Sequence, residues 1–190
     1  MKKFVLGLMI SAGLLGATTV VANADTTGSS TGDVTFTGGT LSMSVDATHL
    51  AFGSNTITSS DATLATSSTP TITVSDLRGT SAGWTLTVAQ GQPFNTDEEG
   101  AGSALTNAAL TVAGTESDSA VTNGSTTLTP GTTSAAGAAG TVASAKNGTG
   151  NGASTVTFSD SKLAVPGKTT KLATGYTTTL TWNLNDTPGN

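Results

Sequence analysis

The sequence predicts an all-β protein: an antiparallel two-layer β-sandwich of Greek-key or jelly-roll type, with long flexible Gly/Ala/Ser/Thr-rich loops. Three observations carry this. Apolar residues recur at every second position in short runs, as in strands with one buried and one solvated face. Turn residues separate the runs. Composition disfavours helix: of 190 residues 41 are Thr and 24 are Gly, while charged residues supply only 10%. Both types are weak helix formers, and Thr suits a strand.

At the N-terminus, Lys2 and Lys3 precede an apolar run from Phe4 to about Val21, and Ala22-Asn23-Ala24 follows. A basic start, an apolar middle and a small-x-small ending describe a secretory signal peptide over residues 1–24. The run is at the short end for a membrane span, and no stop-transfer cluster follows it. The leader is therefore expected to be cleaved, leaving no segment to insert in a membrane. Residues 25–40 form an N-terminal lead segment. In it Val34 and Phe36 alternate with Asp33, Thr35 and Thr37, and Gly38-Gly39 marks a turn.

The domain proper spans 41–190. Leu41, Met43 and Val45 alternate with serines, and Ile72 and Val74 with threonines. Trp84, Leu86 and Val88 follow the same rule, as do Val156 with Phe158, and Leu180, Trp182 and Leu184. Leu110 and Val112 flank Thr111; β-branched residues make Thr106 to Ala113 a strand rather than a short helix. A low-complexity stretch near 114–152, with Ser134 to Gly140 and Asn147 to Gly152 at its poorest, has the composition of a linker or long loops. In it Val121, Leu128 and Val142 are the residues able to anchor thin strands.

Charge and residue inventory exclude much chemistry. Seven basic against twelve acidic residues give −5. Without the leader five basic residues remain and the charge is −7. Nucleic-acid binding needs the opposite balance. The chain has no cysteine, so no disulfide, thiolate metal site or cysteine nucleophile exists, and its one histidine, His49, excludes two-histidine metal sites. An exported chain without cysteine fits a bacterial source better than a small eukaryotic extracellular domain. His49, three residues after Asp46, is the one candidate base. Neither Gly-x-Ser-x-Gly nor Ser-x-x-Lys stands in the context its chemistry needs, and His49 reads as a loop or strand-edge residue. Asp97, Glu98 and Glu99 are adjacent, so they cannot flank a sugar, and they lack the spacing of a calcium loop. They read as a solvated loop. The expectation is no enzyme, no catalytic residue, no metal and no cofactor.

The tryptophans are more specific. Trp84-Thr85-Leu86 and Trp182-Asn183-Leu184 each place Trp and Leu on one side of a strand. The first follows Asp76-Leu77-Arg78-Gly79 and Gly83; the second lies in Leu180-Thr181-Trp182-Asn183-Leu184-Asn185-Asp186. This pair of Trp-x-Leu motifs with these flanks resembles the WxL domain of Gram-positive surface proteins, and Leu50-Ala51-Phe52-Gly53 resembles a further element of that family. The resemblance runs from about Leu41 to Asn190. It implies a secreted, cell-surface protein attached non-covalently to the cell wall, with peptidoglycan as the ligand and a membrane-anchored WxL-interacting protein as a partner. The alternative is a structural or docking subunit of a surface complex that mainly binds that partner.

Trp84, Leu86, Trp182 and Leu184 are thus the motif residues. On an alternating strand they read as core; the other reading is a platform on which sugar rings stack. Asp76 and Arg78, the only arginine, leave one face of an extended strand two residues apart and form a candidate structural ion pair that fixes the loop before Trp84.

The leader carries the first prediction. The exported chain begins at Asp25, and its intact mass lacks residues 1–24. A secreted form that retains Met1 or Lys2 would identify the segment as an anchor instead.

Overall fold

The computed structural model describes residues 27–46 and 49–189. The expected signal peptide, residues 1–24, lies outside the described residues. The chain divides into two units, 1–35 and 36–190. In the first, the described residues 27–35 are exposed and form no regular element.

In the second unit the described residues form eleven strands and no helix. In chain order these are β1 (Leu41–Val45), β2 (Ala62–Ala65), β3 (Thr71–Asp76), β4 (Trp84–Gln90), β5 (Ala109–Ala113) and β6 (Val121–Asn123). They continue with β7 (Ser125–Leu128), β8 (Gly140–Ala145), β9 (Gly152–Thr157), β10 (Lys162–Val165) and β11 (Leu180–Asn185). They make three antiparallel sheets, ordered β1-β3-β9, β2-β10-β5-β7 and β11-β4-β8-β6. The architecture is all-β and sandwich-like.

Alternation places the core. Ile72 and Val74 on β3, Leu86 and Val88 on β4, Leu110 and Val112 on β5 and Val156 on β9 are sealed from solvent. With Leu128, Val142 and Leu163 they form one apolar cluster fed by all three sheets. The intervening threonines face outward, and some bond across strands: Thr73 to Thr155 at 3.3 Å and Thr111 to Thr127 at 2.8 Å.

Two regions differ from the sequence expectation. Asp33 to Thr37 alternates like a strand but forms none, and Val34 and Phe36 are exposed. The stretch near 114–152 is far more ordered than its linker-like composition, for it carries β6, β7 and β8. The reason is steric. β8 lies between β4 and β6, with Ala145 opposite Trp84 and Ala143 opposite Leu86. Large side chains on β4 fill the space, so the strand beside them must be small. Close backbone approach adds to this: a Cβ on Gly124 would lie 2.8 Å from the Thr141 carbonyl oxygen. β2 and β10 were not legible, because alanine beside the larger apolar residues of ATLA and KLAV blurs the alternation.

Candidate functional site

The two Trp-x-Leu motifs meet. β4 and β11 pair antiparallel, with Leu86 opposite Leu184, Trp182 opposite Val88 and Asn185 opposite Thr85. The two leucines therefore face each other, and the two tryptophans flank them from opposite ends. All four side chains share the inward face. Trp84 and Leu86 are completely buried. Trp182 and Leu184 are half-buried on the edge strand and pack against the core. The Trp182 ring lies on Phe158 with centroids 4.8 Å apart.

Trp84 is fixed at its polar end as well. Its Nε1–H donates to the Gly150 carbonyl at 3.1 Å, which satisfies the one donor that burial would orphan. Gly150 has φ of +76°, and a Cβ there would lie 2.7 Å from Trp84 Nε1. A side chain at 150 is thus excluded twice, by conformation and by space.

The turn before Trp84 is locked by charge. Arg78 Nε donates to Asp76 Oδ1 at 2.9 Å, and Arg78 NH2 donates to Asp76 Oδ2 at 2.7 Å. The same NH2 donates to the Gly83 carbonyl at 2.7 Å, and Arg78 N–H donates to Asp76 Oδ1 at 3.2 Å. Asp76, at the end of β3, is buried, while the Arg78 side chain is 18% exposed. The guanidinium hydrogen bonds hold the Asp76 carboxyl below its usual value of 3.8, against the opposing pull of burial. In return Asp76 raises Arg78, with a smaller contribution from the Asp186 charge. Gly83, at φ +75°, has its Cα 's open side against Ala145: a Cβ there would lie 2.5 Å from the Ala145 carbonyl oxygen.

An open groove of about 620 Å³ runs along β11, lined by Leu41, Met43, Arg78, Trp182, Leu184 and Asp186. Trp182 also lines a larger, mainly apolar cavity of about 1450 Å³ that reaches Phe52, Phe94 and Leu180. Phe52 of the Leu50-Ala51-Phe52-Gly53 element meets Phe94 edge to face at 6.1 Å. Of the remaining candidates, His49 lines the larger cavity, and Asp97, Glu98 and Glu99 line neither feature. The His49 carbonyl accepts from Ser68 Oγ at 2.6 Å. The Asp97 and Glu98 carbonyls accept from the buried Gln92 amide, which ties down the acidic loop. Among the described residues no three of His, Cys, Asp and Glu cluster as a metal site. Among the described residues there is no helix long and apolar enough to cross a membrane.

Sequence reasoning missed Gly150, Ala145 and Ala143 as partners of the motif. For the two alanines a signal was present, as small residues clustered where a large inward side chain needed room.

The family model of the WxL domain, described as surface cell wall-binding, matches residues 18–188. The chain belongs to the WxL family. No curated protein and no solved structure matches it. WxL is a cell wall-binding family rather than an enzyme family, and membership associates this protein with the cell surface and its wall.

Two predictions follow from the WxL pair and its lock. Trp84→Ala is expected to cost about 3–5 kcal/mol by denaturant unfolding, since the indole is fully buried. Trp182→Ala is expected to cost about 1–3 kcal/mol, since part of its surface already meets water. Equal melting of both variants and wild type would refute the placement. For Asp76 the folded value lies below the unfolded one, so its stabilisation is complete above the unfolded value and drains as pH falls through the folded one. The stability gap between wild type and Asp76→Asn should be constant near neutrality and narrow below about pH 4. A gap that stays flat into acid would mean that the pair contributes nothing through its charge.

Proposed function

We propose that this WxL domain is secreted through its leader and attaches to the wall by binding peptidoglycan on the outward face of the β11-β4-β8 sheet. One observation carries the reading: the Trp-x-Leu side chains point inward, so the surface the motifs present to a ligand is the alternate set. That set is Thr85 and Thr87 on β4 with Thr181, Asn183 and Asn185 on β11. Asn183 stands opposite Thr87 and Asn185 opposite Thr85, and Thr141 on β8 extends the first row. Thr hydroxyls and Asn amides both donate and accept, as do the hydroxyls and peptide amides of peptidoglycan. The tryptophans would then support the binding sheet from beneath rather than stack on sugar.

Charge makes the reading testable. The mature chain at −7 would be repelled by anionic wall polymers. Attraction must therefore come from short-range hydrogen bonds and packing. Sedimentation with purified, protein-free peptidoglycan should persist or strengthen with added salt, which screens repulsion beyond about 8 Å at physiological strength. It should also strengthen as pH falls toward about 4, where carboxylates begin to be neutralised. Thr87→Ala with Asn183→Ala should weaken sedimentation while unfolding stays unchanged. Loss of binding in moderate salt would show an ionic contact and overturn the mechanism. No sedimentation under any condition would favour docking on a membrane-anchored WxL-interacting protein.

A further inference from the structure

Asp33–Thr37 has the sequence of a strand without the sheet. Val34 is 78% exposed and Phe36 89% exposed, the highest values among the exposed large apolar side chains of the described residues. Single exposed apolar residues are ordinary. Two of them at period two, Val34 between Asp33 and Thr35 and Phe36 between Thr35 and Thr37, have the pattern of a strand's inward face with nothing to cover.

A matching acceptor lies in the sandwich. β1 and β11 are edge strands of two different sheets, and the 620 Å³ groove runs between them. The inward residues on its walls, Leu41 and Met43 on one side and Trp182 and Leu184 on the other, are only half-buried. One strand further in, Val74, Leu86 and Val88 are fully sealed. The core therefore lacks cover along this groove, and among the described residues no strand pairs with the outer edge of β1.

The register of the missing strand can be read from the sequence. Gly38-Gly39 between two alternating runs is a two-residue hairpin signature. Closing it would set Phe36 beside Leu41, Thr35 beside Ser42 and Val34 beside Met43, apolar with apolar and hydroxyl with hydroxyl. The structure uses these glycines differently. Gly39 N–H donates to the Leu77 carbonyl at 2.7 Å, and the Thr40 carbonyl accepts from Leu77 N–H at 3.0 Å. A Cβ on Gly38 would lie 2.5 Å from the Arg78 carbonyl oxygen. The glycines thus run alongside the end of β3 and do not turn back along β1.

We infer that Asp33–Thr37 of one copy fills the groove of a second copy, adding to the free edge of its β1 in the hairpin register. An opened hairpin that delivers its strand to a neighbour makes the same contacts as the closed one, at low cost. Reciprocal exchange closes a two-fold dimer and covers two edges that would otherwise invite uncontrolled pairing. The groove shares Asn183 and Asn185 on β11 with the proposed wall-binding face, while Thr85, Thr87 and Thr141 of that face stand outside it.

The test uses the chain as it accumulates outside an exporting bacterial host, with its mass verified. Sedimentation equilibrium at tens of micromolar should give twice the chain mass. Phe36→Ser should return it to the chain mass, with dimerisation weakened at least about tenfold. Phe36 is exposed, so this variant is expected to fold, and circular dichroism checks that. The chain has no cysteine, so Thr35→Cys and Ser42→Cys can be placed in separate copies of different size. In the exchanged register their Cα atoms would be about 5.5 Å apart, within disulfide range. Oxidation of a dilute mixture should then give the mixed covalent dimer. Chain-mass species with no mixed disulfide would overturn the inference. So would a dimer indifferent to Phe36→Ser. An internal disulfide at chain mass in the Thr35→Cys, Ser42→Cys double variant would also overturn it, by showing that the segment closes its own groove.

Discussion

The pairing of Leu86 with Leu184 sets the geometry on which the rest of the domain depends. Because β4 and β11 run antiparallel, the two Trp-x-Leu triplets can meet only with their order reversed. The result is an inward layer with a leucine pair at its centre and an indole at each end. A slip of one residue would turn the whole set outward. Register is therefore specified by burial itself. One strand fixes it with a fully buried Trp84, the other with a Trp182 that rests on Phe158 at the edge.

Two large indoles constrain everything near them. Ala145 and Ala143 on β8 face Trp84 and Leu86 directly, and Gly150 offers its carbonyl to the Trp84 nitrogen. This gives physical meaning to a composition that otherwise reads as low complexity. The charge lock belongs to the same system. Arg78 reaches Asp76 on one side and the Gly83 carbonyl on the other, so it holds both ends of the turn that delivers Trp84 to its strand. In a chain with one arginine, that arginine is spent on the entry to the motif.

The sequence revealed those strands whose burial is one-sided. β1, β3, β4, β5, β9 and β11 alternate cleanly because one face is core and the other solvent. β8 was obscured for the opposite reason: Val142, Ala143, Ser144 and Ala145 are all buried, so the alternation is lost. In β2 and β10 alanine beside the larger apolar residues blurs it. Asp33–Thr37 alternates clearly yet remains unpaired, which shows that a strand pattern records the capacity to cover a face and does not supply the face. Of the motif's surroundings, Asp76, Arg78, Trp84 and Trp182 were legible as charged or aromatic residues in a poor background. Gly150 was not, since nothing local distinguishes it from its neighbouring glycines.

The proposed binding face, built from Thr and Asn, has a consequence for affinity. Each neutral hydrogen bond exchanged with water contributes little, about 0.5–1.5 kcal/mol, and the chain's negative charge supplies no long-range attraction to an anionic wall. Such a face gains strength from repetition rather than from any one contact. The wall is itself a repeating lattice, and two copies joined by strand exchange would present two faces to it. Once the first is bound, the second binds at an effective concentration set by the link between them. The overall grip can then exceed either contact by orders of magnitude without a charged or enclosed site. The pieces are consistent on this point: inward aromatics leave the outer face to Thr and Asn, and the proposed exchange of Asp33–Thr37 would double it.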